Sequence, residues 1–367
     1  MKSAAIALLL LAGACRDAGT PAPAPAQPQP ARGEEPAPQV TEVARGLEVP
    51  WSIAFAPDGR IFVTERPGRI RVIEDGALRS QPLHTIPNVS SRSEEGLMGL
   101  ALHPDFGQNR LLYVCYATNR GGRMIDEVVR FRDTGIALTD AATILTGIPA
   151  ARFHAGCRLA FGPDRKLYVT TGDATEGRIA QDLKSLGGKI LRLEDDGSIP
   201  EDNPFAGSPV WSYGHRNPQG LAWDPVRGLL FSTEHGPSGF DGAPGGDEVN
   251  IIEPGKNYGW PLISHAETRP GMEAPLLEYT PACAPASAAF WKNDLLFGCL
   301  RGERVQRVVL DPQDRRKVVS QERLFTEYGR IREVVAGPDG ALYFSTSNRD
   351  GRGNPAASDD RIFRVEP

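Results

Sequence analysis

The chain has 367 residues, including 40 glycines and 32 prolines, and carries a formal net charge of -5 at pH 7. Because a protein built from many short strands needs a turn residue at nearly every reversal, this glycine and proline content favours an all-β protein over a helical one. No run of Lys or Arg is present to neutralise phosphates, which argues against nucleic-acid binding. A small molecule is the expected ligand.

Residues 1–15 have the pattern of an export signal. Lys2 precedes the apolar run 4–11, which is too short to cross a bilayer as a helix, so a cleaved segment is expected rather than a permanent anchor. The Ala-Gly-Ala-Cys that ends at Cys15 resembles a bacterial lipoprotein processing site and predicts lipidation, although ordinary cleavage after Ala14 fits the same residues. We expect an exported protein, periplasmic or at the cell surface, with membrane contact only through this lipid.

Residues 16–40 are predicted to be a linker. From Thr20 to Gln39 the chain consists mostly of Pro, Ala and Gln with almost no apolar bulk. Such a segment cannot bury a core and is typical of a semi-rigid, extended tether. The folded catalytic domain is therefore predicted to span residues 41–367.

Four cysteines remain in this domain, an even number that suits an oxidising compartment. They are Cys115, Cys157, Cys283 and Cys299. Sequence proximity favours pairing Cys115 with Cys157 and Cys283 with Cys299, while the other pairings and four free buried thiols stay open. None has the close Cys-x-x-Cys spacing of a zinc site.

A short phrase recurs along the predicted domain, and each copy joins a Pro-Asp or Asp-Pro turn to an apolar run. The copies begin at Pro57, Pro104, Pro163, Asp224 and Pro338 and lead into the runs 61–64, 111–114, 167–170, 229–232 and 341–344. The last interval is about twice the others, and a degenerate copy at 293–297 brings the count to six. Repeats of this size predict blades of four-stranded sheet packed around an axis, because one blade cannot bury both its faces alone. The expected fold is all-β, a six-bladed β-propeller; the alternative is a β-sandwich with coincidental Pro-Asp turns.

Five polar clusters lie between the predicted strands, where a propeller places the loops that carry its chemistry. They cover residues 94–99, 154–159, 214–220, 234–237 and 245–250, and the last leads into 257–261. Through the Gly-His-Arg-Asn-Pro-Gln-Gly of 214–220 and the Asn-Tyr-Gly-Trp-Pro of 257–261, the sequence resembles the glucose/sorbosone dehydrogenase family of soluble aldose sugar dehydrogenases. The resemblance runs from about Val49 to Arg364. It implies a six-bladed propeller that uses pyrroloquinoline quinone (PQQ) and Ca²⁺ to oxidise an aldose.

The resemblance makes His154 the general base that takes the proton from the anomeric hydroxyl of the sugar. An imidazole that titrates near neutral pH can accept this proton while a hydride leaves C1 for the quinone and the lactone forms. The alternative is a packed histidine at the end of a strand. The same resemblance places Arg216 and Asn217 against PQQ, with the Arg216 guanidinium stabilising negative charge during hydride acceptance. The alternative is an arginine fork that holds the carbonyls of a neighbouring loop.

PQQ carries three carboxylates, so its pocket needs cations, and arginine meets a carboxylate with two parallel hydrogen bonds. Arg301, Arg330 and Arg332 match the carboxylate-binding basic positions of the family. Arg330 and Arg332 flank Ile331, so on a strand both side chains would point to the same side. That arrangement predicts a clamp, whereas the residue pattern alone is also typical of a solvated strand face.

Two Ca²⁺ sites are implied by the resemblance. One ion would bridge PQQ to the backbone carbonyls of Gly236 and Pro237. The second would be structural, held by the Glu248 carboxylate and the Tyr258 carbonyl, with Asp247 as a further ligand. Hard cations prefer oxygen donors of these kinds.

The sequence departs from the family pattern close to the predicted site. Glu94, a predicted PQQ contact, stands where an amide is often found, and His235, another, replaces the Gln of some glucose-oxidising members. Glu95 and Cys157 occupy positions that are commonly Gly. The stretch Ser238–Pro244 is interpreted as an insertion beside the second Ca²⁺ site. These departures bear on substrate choice and metal affinity rather than on the reaction class.

Two other functions fit a six-bladed propeller. A Ca²⁺-dependent lactone hydrolase would place inward Asp, Asn and Glu ligands at the axis and would not need an arginine clamp. A non-catalytic propeller that binds a cell-surface partner would not need His154 opposite an anion pocket. For the dehydrogenase, the expected electron acceptor is a cytochrome or a quinone.

Overall fold

A computed structural model describes residues 38–367, together with Met1. The predicted export signal, Cys15 and the linker up to residue 37 lie outside the described residues. Among residues 38–367, no helix is both long enough and apolar enough to cross a membrane. The first strand begins at Val40, just before the predicted domain start.

Almost all the regular structure is β. The strands of the first half of the chain are β1 (Val40–Ala44), β2 (Pro50–Phe55), β3 (Ile61–Glu65), β4 (Arg69–Glu74), β5 (Ala77–Leu78), β6 (His84–Thr85), β7 (Leu97–Leu102), β8 (Leu111–Arg120), β9 (Arg123–Asp133), β10 (Leu138–Pro149), β11 (Gly156–Phe161), β12 (Leu167–Thr171), β13 (Lys189–Leu193) and β14 (Val210–Tyr213). Those of the second half are β15 (Pro218–Trp223), β16 (Leu230–Glu234), β17 (Asp247–Ile252), β18 (Leu277–Tyr279), β19 (Pro285–Trp291), β20 (Asp294–Cys299), β21 (Arg304–Leu310), β22 (Val318–Leu324), β23 (Ile331–Ala336), β24 (Leu342–Thr346) and β25 (Ile362–Val365). Two short helical turns are α1 (Phe106–Asn109) and a 3₁₀ turn at Gly177–Gln181.

These strands form six antiparallel sheets, which are the blades of a propeller. Blade 1 contains β2 to β5 with β6 added beside β4, blade 2 contains β7 to β10, blade 3 β11 to β14, blade 4 β15 to β18, and blade 5 β19 to β22. Blade 6 combines β23 to β25 with β1, so the first strand of the domain pairs with the last and closes the ring. The prediction of an all-β, six-bladed β-propeller is confirmed.

Each copy of the recurring phrase leads into the second strand of a blade. The degenerate copy at 293–297 leads into β20, which is the second strand of blade 5. The Asp of the phrase has a clear local function. Asp58, Asp164 and Asp339 each accept, through Oδ1, the backbone N–H two residues later at 3.2 Å. This side-chain turn reverses the chain between the first and second strands. The repeat in the sequence therefore marks a repeated hairpin.

The hydrophobic core is divided among the interfaces between blades. Six apolar clusters occupy the six junctions between neighbouring blades, including the junction of blade 6 with blade 1. Because each second strand lies between two such clusters, β12, β16 and β24 are buried along their whole length. Packing on both faces makes the blades a rigid frame for the loops at the axis.

A buried ion pair crosses the axis of the ring. Arg158 on β11 and Glu333 on β23 belong to blades on opposite sides, and Nη1 lies 2.7 Å from Oε2. Arg158 also donates to the Gln219 carbonyl at 2.9 Å and to Ser52 Oγ at 3.1 Å, and its guanidinium lies 4.2 Å from the Trp51 ring centroid. Side chains from three blades and a backbone carbonyl from a fourth therefore meet at this level of the channel.

The four cysteines of the domain form one disulfide. Cys115 and Cys157 are bonded, as predicted, and join β8 to β11. Cys283 and Cys299 are free and buried, so the second predicted bond is not formed in the structure. Their Sγ atoms lie 2.9 Å apart, with the Cys299 thiol donating to Cys283. The predicted proximity is correct although the covalent bond is not present.

Candidate functional site

A cavity of about 400 Å³ opens among the loops at one end of the propeller. In an antiparallel four-stranded blade, the loop before the first strand and the loop between the second and third strands lie at the same end, and these loops form the cavity. The predicted site residues that line it are Glu94, His154, His235, Gly236, Pro237, Asp247, Arg301 and Arg330. The structure therefore brings most of the predicted cofactor and catalytic positions to one place.

His154 lies just before β11, is 3% exposed and has a positive φ of 57°. A non-glycine residue in this left-handed region is uncommon and is often found at functional sites. Its backbone N–H donates to Glu94 Oε2 at 3.1 Å, and its carbonyl packs against Gly172. A Cβ atom on Gly172 would lie 1.7 Å from that carbonyl oxygen, so glycine is required there. The position of His154 is thus fixed from two loops.

Asp173 orients the His154 ring and was not among the residues predicted from the sequence. The Nδ1 atom of His154 lies 2.7 Å from Asp173 Oδ1, and because a carboxylate can only accept, Nδ1 carries the proton. Trp260 Nε1 donates to the other oxygen of Asp173 at 2.7 Å. The free nitrogen of the imidazole is therefore Nε2. The available signal was the Gly-Asp that follows β12 directly.

Arg330 and Arg332 share one carboxylate, that of Asp350. Arg330 Nη2 lies 2.7 Å and Arg332 Nη2 3.6 Å from Asp350 Oδ2, which confirms that the two side chains point to the same side. Arg330 lines the main cavity, whereas Arg332 lines a smaller adjoining cavity of about 20 Å³. Burial lowers the pKa of Arg332 to about 10. Arg301 is exposed at the rim of the main cavity.

Arg352 adds a cation to the cavity wall that was not predicted from the sequence. Its Nη1 lies 2.8 Å from Glu94 Oε1, and its guanidinium lies 5.7 Å from the Phe153 ring centroid. Burial alone would raise the pKa of Glu94, but the Arg352 guanidinium more than offsets it and lowers that pKa. Glu94 is therefore an anion on the cavity wall, tied to both Arg352 and the His154 backbone.

Arg216 is buried beside the insertion rather than on the main cavity. It is 2% exposed, and its Nε donates to Asp241 Oδ2 at 2.7 Å. Nη1 donates to the His235 carbonyl and Nη2 to Ser238 Oγ, each at 3.1 Å. Arg216 lines a second small cavity next to the main one. The insertion therefore controls the environment of the predicted quinone-contacting arginine.

Asn217 and His235 carry buried polar atoms without a hydrogen-bond partner among residues 38–367. These atoms are Asn217 Nδ2 and His235 Nε2. Asn217 Oδ1 accepts from the Gly156 N–H at 3.1 Å, so its amide orientation is fixed. Burial lowers the pKa of His235, which keeps its imidazole neutral. Buried unpartnered donors and acceptors are costly, so His235 Nε2, on a residue that lines the main cavity, is a candidate for a ligand contact. Asn217 does not line this cavity.

The predicted metal ligands surround the second small cavity, whose volume of about 10 Å³ is enough for one water-sized sphere. Gly236, Pro237, Glu248 and Tyr258 all line it. Burial and then the nearby Glu234 carboxylate raise the pKa of Glu248. Across residues 38–367, no cluster of three or more His, Cys, Asp or Glu side chains could hold a metal. A cation here would depend largely on backbone carbonyls.

Asp247 has a structural role in addition to its predicted metal role. Its Oδ1 accepts the Gly236 N–H at 2.9 Å and its Oδ2 accepts the Ala284 N–H at 2.7 Å. One carboxylate thus ties the loop after β16 to the segment before β19. Each oxygen retains a second lone pair, which is the only capacity left for a cation.

Comparison with known proteins identifies the family. The profile of the Glucose / Sorbosone dehydrogenase family matches residues 47–354. The chain belongs to this family. It is 35% identical over 338 residues to the aldose sugar dehydrogenase YliI of Escherichia coli, covering 83% of this chain and 89% of that protein. It is 32% identical over 256 residues to the quinoprotein glucose dehydrogenase B of Acinetobacter calcoaceticus, covering 60% of this chain and 52% of that protein.

A solved structure shows the same architecture. The PQQ-bound form of the aldose sugar dehydrogenase from Streptomyces coelicolor superposes on this chain with a TM-score of 0.81 at 37% identity, covering 90% of this chain and 98% of that one. The predicted resemblance to the glucose/sorbosone dehydrogenases is confirmed, and the chain is placed among oxidoreductases that act on sugars.

One departure from the glucose/sorbosone dehydrogenase pattern has a structural explanation. Cys157 stands where Gly is common and has a φ of 68°, in the region that glycine adopts most readily. Its disulfide with Cys115 links β8 and β11 across neighbouring blades. The disulfide holds Cys157 in a backbone conformation that cysteine otherwise disfavours. This residue lies three positions after His154.

Proposed function

We propose that this chain oxidises aldose sugars at C1 to the corresponding lactone, with PQQ as its cofactor and His154 as the general base. The observation that carries the proposal is the buried His154–Asp173 pair at 2.7 Å on a cavity whose wall also holds Arg301, Arg330 and Arg352. A base and an anion-binding wall on one cavity suit proton removal from a neutral sugar beside an anionic cofactor.

The cavity fits PQQ in size and in charge. Its volume of about 400 Å³ lies within the usual range of small-molecule sites, about 300 to 1,000 Å³. Arg301 and Arg330 on its wall, with Arg332 behind, would bind the carboxylates, and Asp350 keeps Arg330 and Arg332 together. His235 Nε2 would gain a partner. Arg216 and Asn217 were also predicted to touch PQQ, but neither lines the main cavity. Arg216 lines the adjoining small cavity, and its guanidinium is held by Asp241, Ser238 and the His235 carbonyl. When bound, PQQ supplies the two-electron acceptor for the hydride that leaves C1.

His154 performs the proton transfer in this proposal. Its Nε2 accepts the proton of the anomeric hydroxyl while C1 loses a hydride, so that the C1–O bond becomes the lactone carbonyl. The Asp173 carboxylate stabilises the imidazolium that results, and Trp260 holds Asp173 in place at 2.7 Å. Glu94 fixes the His154 backbone, so the base is positioned before the sugar arrives.

Ca²⁺ is part of the proposal. Gly236 and Pro237 line both the main cavity and the small one, and their carbonyls would bind an ion shared by protein and cofactor. Glu248 and the Tyr258 carbonyl would hold a second, structural ion, with Asp247 contributing a lone pair. The donors are oxygen atoms, which Ca²⁺ prefers, and the scarcity of carboxylates favours an ion with a flexible, carbonyl-rich shell.

Export from the cytoplasm is also proposed, with a cytochrome or a quinone as electron acceptor and a lipid on Cys15 as the membrane contact. Two observations support export: the signal-like residues 1–15 and the disulfide between Cys115 and Cys157. Disulfides persist in oxidising compartments such as the periplasm.

The test is reconstitution of the purified full chain with PQQ and Ca²⁺, followed by reduction of an artificial electron-accepting dye with a panel of aldoses. Wild type should reduce the dye only when PQQ and an aldose are both present. His154→Ala should bind PQQ normally, as measured by quenching of tryptophan fluorescence, and lose dye reduction. His84→Ala, on the outer strand β6, is the matched histidine control and should keep full activity.

The alternatives give different results in the same experiment. Failure to bind PQQ, combined with Ca²⁺-dependent lactone hydrolysis, would favour the hydrolase and overturn the proposal. Absence of both activities in a folded, PQQ-free chain would favour a binding propeller. The arginine-rich cavity wall is the observation that favours the dehydrogenase over both.

A further inference from the structure

The insertion Ser238–Pro244 places an exposed aromatic ring at the mouth of the cavity. Phe240 lines the cavity and is 65% exposed. A large apolar side chain that is mostly exposed contributes little to the core, and when it borders a polar cavity it marks a binding surface. Phe153 lines the same cavity, but its ring lies beside the Arg352 guanidinium, which leaves Phe240 as the more accessible aromatic surface.

The insertion is anchored and therefore presents this ring in a fixed position. Asp241 Oδ2 accepts from Arg216 Nε at 2.7 Å, and Asp241 Oδ1 accepts the Ser238 N–H at 2.8 Å. The Gly245 N–H donates to the Pro237 carbonyl at 3.2 Å and closes the base of the loop. The Arg216 and Asp241 side chains are only 2% and 16% exposed, so solvent screens this ion pair much less than a surface pair.

Phe240 stacks on the catalytic histidine without covering its reactive edge. The ring centroids of Phe240 and His154 lie 5.7 Å apart with an interplanar angle of 23°. A stacked contact uses the face of the imidazole, while Nε2 lies on its edge and Nδ1 is held by Asp173. The arrangement leaves Nε2 accessible and puts an apolar wall directly beside it.

We propose that Phe240 is a specificity-determining residue whose ring binds the apolar C–H face of an aldopyranose while the anomeric hydroxyl reaches His154 Nε2. Asp241 is the positioning residue that holds this ring through Arg216. The inference rests on the proposed function and deepens it, because it assigns the sugar-binding surface to a segment that interrupts the family pattern. A pyranose with a continuous C–H face is favoured over an open-chain polyol, which presents no such face.

The test compares Phe240→Ala with Phe240→Tyr in the PQQ-loaded enzyme. Loss of the ring should raise KM for an aldopyranose about tenfold, corresponding to an aromatic contact of about 1.4 kcal/mol, with kcat changed less than about twofold. Phe240→Tyr should restore KM. Calorimetry with the product lactone should show the same weakening in Phe240→Ala. Ile136→Ala, an exposed apolar site in the turn between β9 and β10 at the opposite end of the propeller, should leave KM unchanged.

Asp241→Asn tests the anchor independently. Hydrogen exchange of residues 238–244 should accelerate in this variant and KM should rise, whereas Phe240→Ala should raise KM with unchanged exchange at the base of the loop. An unchanged KM in Phe240→Ala, or a fall in kcat with constant KM, would overturn the inference. If wild type binds no PQQ and oxidises no sugar, the proposed function itself fails. If wild type binds PQQ and oxidises sugar but Phe240→Ala has an unchanged KM, only the inference about Phe240 fails.

Discussion

The Asp173 carboxylate accepts a hydrogen bond from His154 Nδ1 at 2.7 Å, although the two residues are 19 positions apart in the chain. His154 precedes the first strand of blade 3, and Asp173 follows the second strand of the same blade. Because the two strands are antiparallel neighbours, these two segments meet at the same end of the blade. The hairpin therefore brings together the imidazole of His154 and the carboxylate that orients it.

Asp173→Asn is expected to lower kcat/KM for an aldose by about 10²- to 10⁴-fold. The amide can present N–H to Nδ1 and favour the tautomer with the proton on Nε2, which cannot accept a proton from the sugar. It also removes the negative charge that stabilises the imidazolium. Steady-state kinetics measure the loss of activity. A fluorescence titration measures the affinity for PQQ, which should not change.

Asp182→Asn is the matched control, since Asp182 is an exposed carboxylate on the same loop. Full activity in Asp173→Asn would show that His154 does not depend on this partner.

Arg330→Gln is expected to weaken PQQ binding about 10- to 100-fold, the range for loss of one charge-assisted hydrogen bond of about 1.5 to 3 kcal/mol. The residue lines the cavity and is 6% exposed, so water screens its charge poorly. Quenching of tryptophan fluorescence by PQQ gives the Kd. Arg323→Gln, on the exposed outer strand β22, should match wild type. Equal affinities in both variants would remove Arg330 from the cofactor site.

The fold was predictable because its signal is local and repeated. Asp58, Asp164 and Asp339 close the same turn with the same side-chain hydrogen bond, so the sequence shows the hairpin directly. The pairing of Cys115 with Cys157 was predictable from proximity, and the family motifs contain most of the predicted residues that line the main cavity.

The partners of the site residues were not predictable in the same way. Asp350 joins Arg330 and Arg332 from the loop between β24 and β25, and Arg352 reaches Glu94 from 258 positions away in the chain. Nothing in their local sequence distinguishes them from other charged loop residues. Their role arises only when loops from different blades converge on the axis.

Glu333→Gln is expected to change how stability depends on pH. Burial raises the pKa of Glu333 from 4.5 to about 7, despite the ion pair with Arg158. The folded state therefore holds the proton more tightly than the unfolded state does. This stabilising contribution is complete below pH 4.5 and is lost as the pH rises through about 7. Glutamine resembles the protonated acid and still offers Arg158 an acceptor.

The variant should therefore match wild type near pH 5 and exceed its free energy of unfolding by about 3 kcal/mol at pH 8, an order of magnitude set by the pKa shift. Urea unfolding at several pH values measures the difference. A wild type that is more stable than Glu333→Gln at pH 8 would show that the Arg158 attraction outweighs the cost of burying the charge.

Cys283 and Cys299 are expected to form a second disulfide when the folded protein is treated with oxidised glutathione. The Sγ atoms already lie 2.9 Å apart, and β19 pairs with β20 at Pro285 and Cys299, so the backbone holds the thiols together. Exchange would remove two protons and two electrons from the thiols and reduce the glutathione disulfide. The new bond closes a loop of 16 residues and should add about 3 kcal/mol to stability. Peptide mapping should show the Cys283–Cys299 link in wild type and not in Cys299→Ser. The Cys115–Cys157 link should be present in both. Free thiols at Cys283 and Cys299 in folded wild type after the glutathione treatment would contradict the prediction.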